Sequence, residues 1–98
     1  MRYRKKPVVI EARRFEANNE VGSPHMDALV EWMNSCSPQE FSRLLGKIAW
    51  HDRTAIYIRT FEGIMTASCG DWIIRGVKGE FYPCTPDVFD ASYEEIDA

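Results

Sequence analysis

The chain is poor in the residues that most often announce chemistry. It has three cysteines and two histidines, and no Cys-x-x-Cys pair. Cys36, Cys69 and Cys84 lie far apart in sequence, so the spacing of a zinc site is missing and no metal or other cofactor is expected. An odd number of unframed thiols fits a reducing compartment. No apolar run comes near the ~20 residues of a membrane span, and the basic start lacks the apolar core of a signal peptide. Glycine never forms Gly-x-Gly-x-x-Gly or a P-loop, so no phosphate cradle of either kind is expected. Positive charge is not in surplus either. The net charge of −3 gives no whole-chain attraction to nucleic acid.

What is present is an ordinary globular mixture. Ninety-eight residues, 45% apolar and 28% charged, suffice for one core with little to spare. One domain spanning 1–98 is expected. Charge is segregated along it. Residues 1–15 carry Arg2, Arg4, Lys5, Lys6, Arg13 and Arg14 against Glu11, whereas residues 80–98 carry six acids and no base. Two readings follow: the termini lie side by side and neutralise each other, or the basic arm binds phosphates. Pro7 and the apolar run behind it favour the first.

The hydrophobic pattern begins as a strand at Val8–Phe15, placed inside the sheet or beside a C-terminal strand. Ser23-Pro24 is a helix start, followed by Met26, Leu29, Val30 and Met33 on one helical stripe, with Trp32 off it, at its edge or on the surface. Ser37-Pro38-Gln39-Glu40 repeats the signal in capping-box form, with Phe41, Leu44 and Leu45 on the inner face and Gly46 as a stop. From Lys47 the period becomes two. Ile48 and Trp50, then Ile56 and Ile58, share faces. Phe61-Glu62-Gly63 turns back into Ile64–Ala67, and Ser68-Cys69-Gly70-Asp71 makes a tight turn into Trp72–Arg75. Gly76–Gly79 turns again into Glu80–Pro83. Thr85-Pro86-Asp87 starts one helical turn, and Ala91–Ile96 reads as a last strand. The expected fold is α+β: a mainly antiparallel sheet, meandering and curled into a half-barrel in one version, with one or two helices after the first strand.

Candidate site residues are few. His51 and Asp52 are neighbours on a strand, so they point to opposite faces and form no dyad with each other. Cys69 and Cys84 are either thiol nucleophiles awaiting a base or small half-buried thiols. Gly70 and Asp71, with Gly79, read as structural turn residues, Asp71 bonding its own turn backbone. Trp50, Tyr57, Trp72, Phe81 and Tyr82 offer a stacking platform, though on alternating strands some of them must face the core, with Arg59 and Arg75 as cationic partners for a phosphate or for nearby acids. No catalytic set is recognisable.

Residues 4–12 and 70–84, extended by Pro86-Asp87, Phe89 and Tyr93-Glu94, resemble a family of small proteins of tailed bacteriophages and prophages, the PGDYG type. The middle, 16–54, carries no such resemblance, and Cys69 stands where the family usually has proline. The resemblance implies a phage accessory protein in the host cytoplasm and no particular reaction, cofactor or catalytic residue. Three functions are expected in descending order. The first is a non-enzymatic module that binds a host or phage protein, for instance to inhibit a host defence system. The second is a nucleotide-like small-molecule binder using the aromatics with Arg59 or Arg75. The third is a small hydrolase using Asp71 and His51.

Overall fold

The computed structural model describes residues 1–4, 6–16 and 24–96. Its elements are β1 (Glu11–Arg14), α1 (Pro24–Cys36), α2 (Gln39–Leu45), β2 (Ala49–His51), β3 (Ile56–Thr60), β4 (Gly63–Ala67), β5 (Trp72–Arg75), β6 (Phe81–Cys84) and α3 (Pro86–Ser92). The fold is α+β, with both helices expected after the first strand in place. The strands form two antiparallel three-stranded sheets, ordered β1-β5-β6 and β2-β3-β4. The sheets do not close into a barrel.

The Ser68–Asp71 turn divides the expected meander. Its closing bond runs from the Asp71 N–H to the Ser68 carbonyl at 3.0 Å, and Gly70 takes φ 98°, which a side chain would resist. The Asp71 carboxylate accepts the Ser68 N–H at 2.9 Å. Leaving this turn, the chain pairs with β1 and not with β4. The Phe15 N–H reaches the Asp71 carbonyl at 2.8 Å and the Gly70 N–H reaches the Phe15 carbonyl at 2.6 Å. The turn thus passes the chain from one sheet to the other. At the far end of β5, the turn to β6 is made by Gly79 at φ 86°, whose N–H bonds the Gly76 carbonyl at 3.0 Å.

One core fills the space between the sheets and α1. Met26, Leu29, Trp32 and Met33 of α1 meet Ile56 and Ile58 of β3, Ala67 of β4, and Ile73 and Phe81 of the first sheet. Trp32 was expected at the edge of the helical stripe or on the surface, yet it is only 6% exposed. The helix faces both sheets, so its apolar arc is wider than one stripe. Trp32 packs edge-on against Phe81, ring centroids 5.0 Å apart, and the Arg13 guanidinium covers its ring at 4.3 Å.

Several sequence expectations are corrected. Val8–Ile10 are not strand, and Val8 and Val9 are exposed. β1 pairs with β5 in the register Glu11↔Arg75 to Arg14↔Trp72. Past Arg75 the chain turns away at Gly76, leaving the preceding residues no partner. The neighbour of β1 is therefore β5, not a C-terminal strand. That last strand does not form. α3 runs through Ala91 and Ser92, because Phe89 and Tyr93, four residues apart on one helical side, stack together and Phe89 lies flat on Trp72 at 4.1 Å.

The capping box at Ser37 is also absent. α1 continues to Cys36, so Ser37 serves its end instead. The Ser37 N–H and hydroxyl both donate to the Met33 carbonyl, at 3.1 and 2.6 Å. Pro38 becomes the N-cap of α2. Leu44 is exposed, while Phe41 and Leu45 are half-buried. The proposed cap at Ser23 lies outside the described residues.

Candidate binding face

The second sheet has one face in the core and one outside it. Ile56 and Ile58 occupy the core face of β3, so Tyr57 and Arg59 occupy the other. Trp50 of β2 stands directly opposite Tyr57. Their rings stack at a centroid distance of 5.9 Å with 26° between planes. Arg59, diagonal to Trp50, places its guanidinium 5.1 Å from the indole centroid.

Both ends of this row are tied down. At one end the Tyr57 hydroxyl donates to the Asp52 carboxylate at 2.6 Å. Asp52 also accepts from the Thr54 hydroxyl and from the N–H groups of Thr54 and Ala55. These bonds, the Tyr57 hydroxyl foremost, hold the Asp52 carboxyl well below its usual range, and the same bond pushes the Tyr57 phenol up. At the other end Arg59 donates to the Leu45 carbonyl at 2.9 Å, supplying a donor to the exposed end of α2. The row Asp52–Tyr57–Trp50–Arg59–Leu45 is thus continuous and fixed. All three of its central side chains remain half-exposed.

The other platform candidates lie elsewhere. Trp72 and Tyr82 belong to the first sheet, on the face that carries α3. Trp72 lies beneath Phe89. Burial, then the hydrogen bond with Tyr93, raises the Tyr82 phenol above its ordinary value. Arg75 alternates to the opposite face, where it pairs with Glu11 at 3.8 Å and donates to the Cys36 carbonyl at 3.4 Å. Phe81, also expected on the platform, is in the core against Trp32, so the residues expected to form one platform are dispersed. Only Trp50, Tyr57 and Arg59 converge.

The reactive groups are likewise separated. His51 Nε2 meets the Asp27 carboxylate at 2.7 Å, a contact the sequence did not suggest because the two lie 24 positions apart. Its Nδ1 accepts the Arg53 N–H at 3.1 Å. That acceptor role places the imidazole proton on Nε2, which donates to Asp27. Both ring nitrogens are engaged, so neither offers a free lone pair to a substrate. The pair ties α1 to β2. Asp71 is committed to Ser68, as described, and makes no dyad with His51. Burial, reinforced by the Asp71 and Asp87 carboxylates, pushes the Cys84 thiol up and disfavours the thiolate. Among the described residues, no group of three or more His, Cys, Asp or Glu is arranged to hold a metal.

Cavities are small or open. One beside α2, lined by Phe41, Leu45, Ile48, Arg59 and Phe81, has about 30 Å³, room for one water. A groove of about 420 Å³ runs between α1 and β2, bordered by Asp27, Glu31, Asn34, Lys47, Trp50 and His51. No helix among the described residues is long and apolar enough to cross a membrane.

No family model, no curated protein and no solved structure matches this chain.

Proposed function

We propose that this protein acts by binding a protein partner through the outer face of its second sheet, as a phage accessory module in the host, without turning over a substrate. The observation that carries this reading is the fixed Trp50–Tyr57–Arg59 row. Trp, Tyr and Arg are the residue types that dominate binding hot spots. Their hydrogen bonds to Asp52 and Leu45 order them before a partner arrives, which lowers the entropy lost on association. The row is a ledge between the open groove at Trp50 and the water-sized cavity at Arg59, a shape suited to a protein surface.

The nucleotide reading has less support. The cavity beside α2 has room for only one water, and a small ligand needs roughly 300 Å³ or more of concave, largely apolar space. The larger groove has the volume but sets Asp27 and Glu31 against Lys47, an unfavourable balance for phosphate. Arg75, the second candidate cation, is held by Glu11. Extraction of the purified protein followed by mass spectrometry separates the two readings. Recovery of a stoichiometric nucleotide would replace the protein-partner reading; recovery of none, with a protein co-purifying in a Trp50-dependent manner, supports it.

A further inference from the structure

We propose that this protein self-associates through β4, two copies pairing antiparallel across a two-fold axis into one six-stranded sheet. The two sheets expose four edge strands, β1, β6, β2 and β4. The β2 edge is closed by Asn34 of α1. Its carboxamide oxygen accepts the N–H groups of Ile48 and Ala49, and its amide donates to the Ala49 carbonyl, all at 3.0 Å. The β6 edge carries Pro83, which has no N–H to offer. The β1 edge carries Glu11, Arg13 and Arg14, charges that discourage pairing. β4 has none of these devices. Gly63-Ile64-Met65-Thr66-Ala67 is uncharged, and residues 63–66 are all exposed, Ile64 at 58% and Met65 at 41%.

The register specifies the occupant. Thr60 and Gly63 close the two-residue hairpin turn, so Thr60–Gly63, Ile58–Met65 and Ile56–Ala67 are the hydrogen-bonded pairs with β3. Ile64 and Thr66 must then direct their N–H and C=O groups away from β3. Among the described residues no backbone group outside the strands bonds to either. In a symmetric antiparallel pair centred on Met65, Ile64 of each copy meets Thr66 of the other, and these are the residues with free groups. Four backbone hydrogen bonds form. A strand without charge sets no like charges opposite each other, and an Ile–Thr pair suits the pleated surface. Because a perpendicular two-fold keeps the pleat, the outer faces of both copies lie on the same side. Two Trp50–Tyr57–Arg59 rows then belong to one continuous surface.

Sedimentation of the full chain from about 1 µM to about 1 mM covers the affinities a small interface supports. The wild type is expected to pass from monomer to dimer, and Thr66→Lys to remain monomeric with unchanged melting. Under mild oxidation Met65→Cys is expected to give a self-link at position 65, since opposed residues of a non-hydrogen-bonded pair have Cα atoms about 4.5 Å apart. Ile64→Cys is expected to give none. A wild type that stays monomeric throughout overturns the proposal, as does a dimer that survives Thr66→Lys. Equal self-linking of Ile64→Cys overturns the register. Partner affinity is a separate measurement, so failure here is distinguishable from failure of the binding reading.

Discussion

The indole of Trp50 and the phenol of Tyr57 stack across the β2–β3 ladder, 5.9 Å between centroids, on the face of the sheet turned away from the core. An aromatic pair of this kind contributes roughly 0.5–1.5 kcal/mol beyond its buried area. Truncating either ring is therefore expected to cost stability modestly and binding severely. Trp50→Ala and Tyr57→Ala should each lower the thermal midpoint by a few degrees while retaining the circular dichroism of the fold. Loss of the folded spectrum in both would show instead that the pair holds the sheet together.

Asn34 closes the β2 edge with three hydrogen bonds and is only part-buried. Asn34→Leu leaves two N–H groups and one carbonyl without their partner. At roughly 1–3 kcal/mol for a stranded polar group, less where water reaches it, a loss of about 2–4 kcal/mol is expected in urea denaturation. Asn34→Asp keeps the acceptor and loses the donor, so it should fall between wild type and Asn34→Leu. Equal stability of all three would show that water replaces the carboxamide fully.

Asp52 governs an acid limb. Its carboxyl is depressed in the folded protein below the ordinary 3.8, first by the Tyr57 hydroxyl. A depressed carboxylate stabilises the fold above its unfolded pKa, and that contribution disappears as pH falls from there towards the folded value. The thermal midpoint of the wild type should thus fall as pH drops below about 4. Tyr57→Phe should flatten part of this fall, and Asp52→Asn more of it. An unchanged acid limb in Asp52→Asn would assign acid lability to other carboxylates.

The two turns that place β5 differ in what they permit. Gly79 has φ 86°, and a Cβ there would lie 2.8 Å from Pro38 Cγ, a rigid ring. Gly79→Ala should cost about 2–4 kcal/mol, combining the left-handed penalty with the overlap. Gly63→Ala, at φ 127° but in open space, should cost less. Cys69, second in the turn closed by Asp71 and Ser68, precedes Gly70 at φ 98°. Proline suits that position, and Cys69→Pro should add roughly 0.4–1 kcal/mol. Denaturant midpoints of the three variants test the ordering.

Local signals in the sequence were reliable where neighbours in the chain decide the outcome. The Phe61–Gly63 hairpin and the Ser68–Asp71 turn depend on residues within a few positions of each other. The failures arise where distant segments decide. Trp32 is buried because α1 meets two sheets at once. Val8 and Val9 are exposed because β5 ends at Arg75. Ala91–Ile96 is not a strand because Phe89 finds Trp72 beneath it and Tyr93 stacks on Phe89. The site was legible in part. Residue type singled out Trp50, Tyr57 and Arg59, but strand alternation alone could not tell that Trp72, Tyr82 and Arg75 point elsewhere. The His51–Asp27 contact and the Asn34 bridge join segments with no sequence relation, so nothing in their spacing announces them.

The central claim is that function resides in the Trp50–Tyr57–Arg59 face and not in a reacting group. The most direct measurement is titration calorimetry of the co-purifying partner against wild type, Trp50→Ala and His51→Gln, each verified as folded and each assayed for biological activity. Trp50→Ala is expected to lose at least about 2 kcal/mol of binding free energy, some thirtyfold in affinity, and its activity with it. His51→Gln should keep both. A folded Trp50→Ala that binds and acts like wild type, or a His51→Gln that binds normally and has no activity, would contradict it.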